Sequence, residues 1–76
     1  MKKLLQFILE NGLGIKDYQI KEEVADAVHS YQLIVPTEIV GLIIGKKGRT
    51  VKMIRNILKV RAILDKIRFS LIVSSD

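Results

Sequence analysis

Ile43-Ile44-Gly45-Lys46-Lys47-Gly48-Arg49-Thr50-Val51 is the stretch from which the rest of the chain can be read. Two glycines bracket two lysines, and β-branched apolar residues flank them on both sides. Glycine has no Cβ, so it accepts positive φ and lets another backbone come very close. Two glycines three apart predict a tight turn that something large approaches. The lysines put positive charge at that point of closest approach. A helical pattern starts directly downstream, so its free backbone N–H groups also face the turn, and such a helix end attracts anions. Glycine, lysine and helix end together suit a phosphate backbone.

Upstream of the turn, Glu38 to Ile44 reads as a short helix with Thr37 as N-cap and Glu38 on its positive end. Its residues are almost all apolar, which predicts burial on most sides. Gly41 inside it predicts close packing against a neighbour. Pro36 ends the preceding strand, because it cannot donate to a ladder. That strand, Val28 to Val35, points Tyr31, Leu33 and Val35 one way. An earlier alternating run, Asp17 to Val24, has Tyr18, Ile20 and Val24 on one side, interrupted by Glu22, and reads as an edge strand. The short link Ala25-Asp26-Ala27 favours an antiparallel hairpin. Lys3 to Leu13 reads as a first helix with Leu4, Leu5, Ile8 and Leu9 on one face, stopped by Asn11-Gly12 and Gly14.

Downstream, Thr50 to Asp65 is the longest helix. Val51, Ile54, Leu58 and Ala62 share one face, and Met53, Ile57, Val60 and Leu64 an adjacent one. Lys52, Arg55 and Lys59 lie opposite, and Arg61 falls inside the apolar arc, where it is expected to snorkel at its edge. That arc spans about 200°, wider than one core contact needs. A last strand runs Ile67 to Val73, with Ser74-Ser75-Asp76 expected to fray. The order αββααβ argues an α+β domain over residues 1–76, a three-stranded sheet covered on one face by three helices.

Composition narrows the function. The net charge of +5 is uneven: residues 1–45 carry four basic and six acidic side chains, residues 46–76 nine and two. A basic half on a small domain points to a polyanion. The absence of Cys excludes disulfides and thiolate metal sites. No segment is long enough to span a bilayer, and the start lacks a signal-peptide cleavage site, so a cytoplasmic protein is expected. His29 is the only histidine, with no nucleophile or orienting partner suggested. Glu22 and Glu23 alternate faces and do not pair. Gly41 and Gly45 are too close for a nucleotide P-loop, and Lys46 is followed by Lys47, not Ser or Thr. Tyr18, Tyr31, Phe7 and Phe69 sit at core-like spacing and form no stacking platform. No enzyme, cofactor, metal or small-molecule substrate is expected.

The 43–51 stretch resembles the signature of K-homology (KH) RNA-binding domains, an apolar-Ile-Gly-x-x-Gly-x-x-apolar pattern. The element order is similar to the type II arrangement, αββααβ, and the size resembles the small stand-alone bacterial KH proteins of the KhpA kind. The resemblance covers essentially the whole chain. It implies that Gly45, Lys46, Lys47 and Gly48 hold the backbone of about four nucleotides of single-stranded RNA. From their charge and place after the loop, Arg49 and Lys52 are expected to add phosphate contacts. It implies that Ile43 and Ile44, with Leu33 and Ile34 of the second strand, border an apolar groove for the bases. The Ala25–Val28 link would form one rim of that groove; it is minimal and contains Asp26. The implied role is RNA chaperoning or post-transcriptional control, with a partner that is a second copy or another KH protein. Met53, Ile57, Val60 and Leu64 are the expected dimer face. The rival reading is an assembly module in which that face is the main function and RNA contact incidental.

Overall fold

The computed structural model describes all residues, 1–76. Helix α1 (Lys2–Phe7) runs on into a π-helical turn, Ile8–Gly12. Leu13 N donates to Ile8 O at 3.1 Å, the i→i+5 bond of that wider turn. Gly14 then takes φ 68° and reverses the chain. Strands β1 (Gln19–Ala25) and β2 (Val28–Val35) follow, then α2 (Thr37–Ile44), a 3₁₀ turn (Lys46–Gly48), α3 (Arg49–Asp65) and β3 (Arg68–Ser75). This is the αββααβ order of the type II KH fold.

The sheet is ordered β1-β2-β3. β1 is antiparallel to β2 through a turn at Asp26-Ala27, where Asp26 takes φ 55°. β3 returns parallel to β2, a pairing that needs a long crossover connection, which α2 and α3 supply. Ser74 and Ser75 pair with Ile34 and Val35, and Asp76 N donates to Val35 O at 3.2 Å, so the expected fraying of the last residues is overturned. Main-chain pairing holds these polar residues, which an apolar pattern does not register.

The core lies between the sheet and the helices. Leu5, Ile8 and Leu9 come from α1 and its extension, Tyr31, Leu33 and Val35 from β2, Ile43 from α2, Ile54 and Leu58 from α3, and Leu71 from β3. Val51 and Ala62 complete the buried stripe of α3, the four residues read from its periodicity. Each such side chain withdrawn from water stabilises the fold by about 1.5–3 kcal/mol before chain entropy is set against it. Tyr31 sits in this core with His29 Nδ1 at 3.3 Å from its hydroxyl. Burial, then a hydrogen bond with Glu22, raises its pKa. Tyr18 bonds Glu10 and is pushed up to about 12 by that bond, so both phenols stay protonated near neutrality.

Four local expectations are corrected. Pro36, not Thr37, occupies the N-cap of α2, and Thr37 is the first helical residue with no side-chain cap. Helix α2 is not buried on most sides: Ile43 is fully buried, Ile39, Val40 and Ile44 half so, and Leu42 is 51% exposed. Gly41 packs against nothing, since a Cβ there would meet no atom within 4 Å. An eight-residue helix lying over the edge of a three-stranded sheet has only one side to cover. Arg61 does not snorkel over the core; it pairs with Asp65 at 2.9 Å in solvent.

Candidate nucleic-acid interface

Helix α2 ends where Gly45 N donates to Gly41 O at 2.9 Å. Gly45 then takes φ 77° and ψ 174°, a region open to glycine alone. Lys47 (φ 57°, ψ 26°) and Gly48 (φ 75°, ψ 14°) are both left-handed, and Gly48 N donates to Gly45 O at 3.2 Å. Three of the four loop residues therefore have positive φ. A left-handed lysine costs about 1–2 kcal/mol, which the surrounding fold has to offset.

The two glycines serve different needs. A Cβ on Gly45 would lie 2.2 Å from Thr50 Oγ1 and 2.9 Å from Thr50 N. Its close approach is therefore internal: the first turn of α3 packs on it. Gly48 has no atom within 4 Å of its Cβ position, so it is the glycine open to a ligand. The twist turns Lys46 and Lys47 outward, and both are exposed, as are Arg49 and Lys52. Helix α3 has no acidic residue in its first turn and no side-chain cap. Between Glu38 and Asp65 the sequence has no acid and seven Lys or Arg residues. The loop and the side of α3 that carries Lys52, Arg55 and Lys59 are thus positive, with no acid between Glu38 and Asp65 to offset them.

Not every residue expected at this site is brought to it. Gly45 to Arg49, Lys52 and half-buried Ile44 are together on the loop and its flanks. Ile43 and Leu33 are both fully buried in the core and border no open groove. Ile34 points from the sheet face that carries no helix, beside Gln19 and Ser74. The strand that adjoins α2 and α3 is instead β3, reached by Arg55 Nη2, which donates to Leu71 O at 3.1 Å. The resemblance implies the second strand at this border; the sheet order β1-β2-β3 puts β3 there, and apolar alternation does not encode strand order.

The Asp26 turn is also not a rim. Arg68 N donates to Ala27 O at 2.8 Å, which fixes that turn beside the start of β3 and the end of α3. The lysine loop is at the other end of α3, about 25 Å away for a 17-residue helix. Asp26 therefore does not oppose the loop charge. Along the α3–β3 border, away from the loop, lies a shallow cleft of about 430 Å³ lined by Lys59, Ala62, Ile63, Ile67, Arg68 and Phe69. It was not foreseen; its residues come from the end of α3, the Ile67 link and the start of β3, and the turn between helix and strand brings them together. No cluster of three metal-ligating side chains exists, and no helix is long and apolar enough to cross a membrane.

The KH-domain family model matches residues 30–68, from β2 to the start of β3. RNA-binding protein KhpA of Chlamydia pneumoniae is 38% identical over 72 residues, 93% of this chain and 92% of that protein. The KhpA of Chlamydia caviae is 35% identical over 77 residues, 100% and 99% of the two chains. That of Chlamydia trachomatis serovar D is 36% identical over 72 residues, 93% and 92%. No solved structure matches. The chain belongs to the KH-domain family, and the small KhpA proteins are among its relatives over nearly their full length.

Proposed function

We propose that this protein binds single-stranded RNA, gripping the sugar-phosphate backbone with Gly45-Lys46-Lys47-Gly48. The observation that carries the reading is the loop itself. Its left-handed backbone presents two exposed lysines and an unobstructed Gly48 at the uncapped start of a basic helix. Arg49 and Lys52 extend the positive surface, and Ile44 lies beside it. The relatives' RNA-binding description agrees with it. The site holds and orients a polyanion by charge and shape; it is read as a binding module and not an enzyme. Its service to the cell is RNA chaperoning or post-transcriptional control in the cytoplasm, where such RNA is found.

Grip by charge sets the salt dependence. If Lys46, Lys47, Arg49 and Lys52 each neutralise a phosphate, log affinity should fall against log salt with a slope of about −0.7 per phosphate, near −3 in all. A titration of a short single-stranded RNA at several salt concentrations measures it. A slope near zero contradicts phosphate grip.

Dimerisation through α3 is the second part of the proposal. Met53, Ile57, Val60 and Leu64 are 49%, 39%, 60% and 72% exposed in the single chain. Their helical positions fall within one narrow arc on the side away from the sheet. A contiguous apolar stripe of this kind is avoided by soluble monomers and marks an interaction surface. A two-fold pairing of α3 helices, with a second copy or another KH protein, would cover it. Lys52, Arg55 and Lys59 lie on a different side and remain free for RNA. Ile57→Lys should convert a dimer to a folded monomer in sedimentation, with RNA affinity reduced through lost avidity. A wild-type protein that is monomeric at high concentration contradicts the pairing.

A further inference from the structure

The exposed stripe of α3 is complementary to itself when reversed. Laid antiparallel on a second copy, about a two-fold axis between Leu58 and Lys59, Met53 meets Leu64 and Ile57 meets Val60, so the whole stripe is covered at once. A parallel pairing would cover the same stripe. It would also set Lys46, Lys47 and Arg49 of the two copies side by side and align the two helix dipoles, with no acid between Glu38 and Asp65 to relieve the repulsion. The antiparallel pairing keeps these ends apart. At about 1.5 Å per residue Gly48 lies about 16 Å from the axis, and the helices stand about 8–10 Å apart, so the two lysine loops are about 35 Å from each other. Around α3, at about 100° per residue, Lys52 and Lys59 lie about 110–130° from the middle of the stripe in one sense. The buried Val51, Ile54, Leu58 and Ala62 lie round the other way. A two-fold axis normal to the paired helices leaves each side on its own face, so both lysine sides open on the same face of the pair.

We propose that the RNA this protein selects carries two short unpaired tracts, one for each loop of an antiparallel pair of copies, joined by a segment that reaches about 35 Å and turns. The inference rests on RNA binding at the lysine loop and on pairing through α3. One loop holds about four nucleotides. A stacked strand advances about 3.4 Å per nucleotide, so such a tract is about 14 Å long and does not reach from one loop to the other. The site for a longer RNA is therefore incomplete in a single chain. The two-fold axis also sets the two bound tracts antiparallel, because both run toward the axis or both away from it. A straight strand cannot fill both loops. A flexible joining segment, or a hairpin with an unpaired arm on each side, can. Once the first tract is held, the second meets its loop at the high local concentration that the joining segment fixes, and affinity rises with no new kind of contact.

The test joins two uridine tetranucleotides by an uncharged ethylene-glycol spacer of graded length, so that neither extra phosphates nor extra binding registers enter. Wild-type protein should bind the joined RNA about a hundredfold more tightly than a single tetranucleotide once the spacer reaches about 35 Å, and only about twofold more tightly with a spacer of about 10 Å. The double variant Ile57→Gln with Val60→Gln, shown to be monomeric by sedimentation, should bind the single tetranucleotide within about twofold of wild type and gain no more than about twofold from any spacer. Wild-type protein that binds the single tetranucleotide but gains nothing from any spacer overturns the inference and leaves RNA binding at the loop standing. So does a full gain at the shortest spacer, or a gain that survives in the monomeric variant, since either places both tracts on one chain. Failure of the wild type to bind the single tetranucleotide or any joined RNA overturns the loop reading as well.

Discussion

Replacing Lys46 and Lys47 together by Asp is expected to abolish RNA binding, by at least about a hundredfold, and to leave the thermal melt nearly unchanged. Both side chains are exposed and form no hydrogen bond or ion pair within the protein, so folding loses no contact. The backbone favours the change at position 47, where φ is 57°. Asp tolerates the left-handed region better than lysine does. The ligand meets the opposite situation. Two unit charges 4 Å apart near a protein surface interact by about 4 kcal/mol before salt screening. The double substitution turns two attractions of that kind into two repulsions at the point of closest approach. A filter-binding or fluorescence titration on protein with a normal melt measures the effect. Undiminished affinity there contradicts the proposed site.

Gly45→Ala should do more harm than any other single change in the loop, and should do it through the fold. The added Cβ would sit 2.2 Å from Thr50 Oγ1, 2.6 Å from Thr50 Cβ and 2.9 Å from Thr50 N. A side-chain rotation can move Oγ1, but Cβ and N belong to the backbone geometry of the first turn of α3. The helix must therefore shift, and Val51 and Ile54 behind it leave their packed positions in the core. The backbone at φ 77° and ψ 174° adds a further penalty of about 1–3 kcal/mol, since that region is closed to residues with a Cβ. Denaturant titration should show a loss of about 3 kcal/mol or more, with RNA binding lost in parallel. Gly48→Ala is the control. Its Cβ enters open space, and only the left-handed backbone at φ 75° resists it, at a cost of about 1 kcal/mol. Equal effects at the two positions would contradict the division of labour between the glycines.

Much of this arrangement is legible in the residues. The buried stripe Val51-Ile54-Leu58-Ala62 and the strand face Tyr31-Leu33-Val35 follow from periods of 3.6 and 2, because those periods fix which side chains share a face. The exposed stripe Met53-Ile57-Val60-Leu64 follows from an apolar arc wider than one contact can cover. What is not legible is the relation between elements. The family resemblance implies Leu33 and Ile43 as groove lining. They are instead shared core between β2 and α2, and the strand beside α2 and α3 is β3. Gly41 illustrates a second limit. A glycine in a helix signals either a near neighbour or nothing, and periodicity does not separate the two. The bond from Arg55 to Leu71 O joins residues sixteen apart, and no local pattern marks it.

The central claim is that RNA is held at the lysine loop and along the basic side of α3. Amide chemical-shift mapping during titration with a short single-stranded RNA tests it residue by residue. The account predicts the largest shifts at Gly45 to Lys52, extending to Arg55 and Leu71. The helix-free sheet face carrying Ser30, Gln32 and Ser70 should stay still. Shifts concentrated on that sheet face, or confined to Met53, Ile57, Val60 and Leu64, would contradict it.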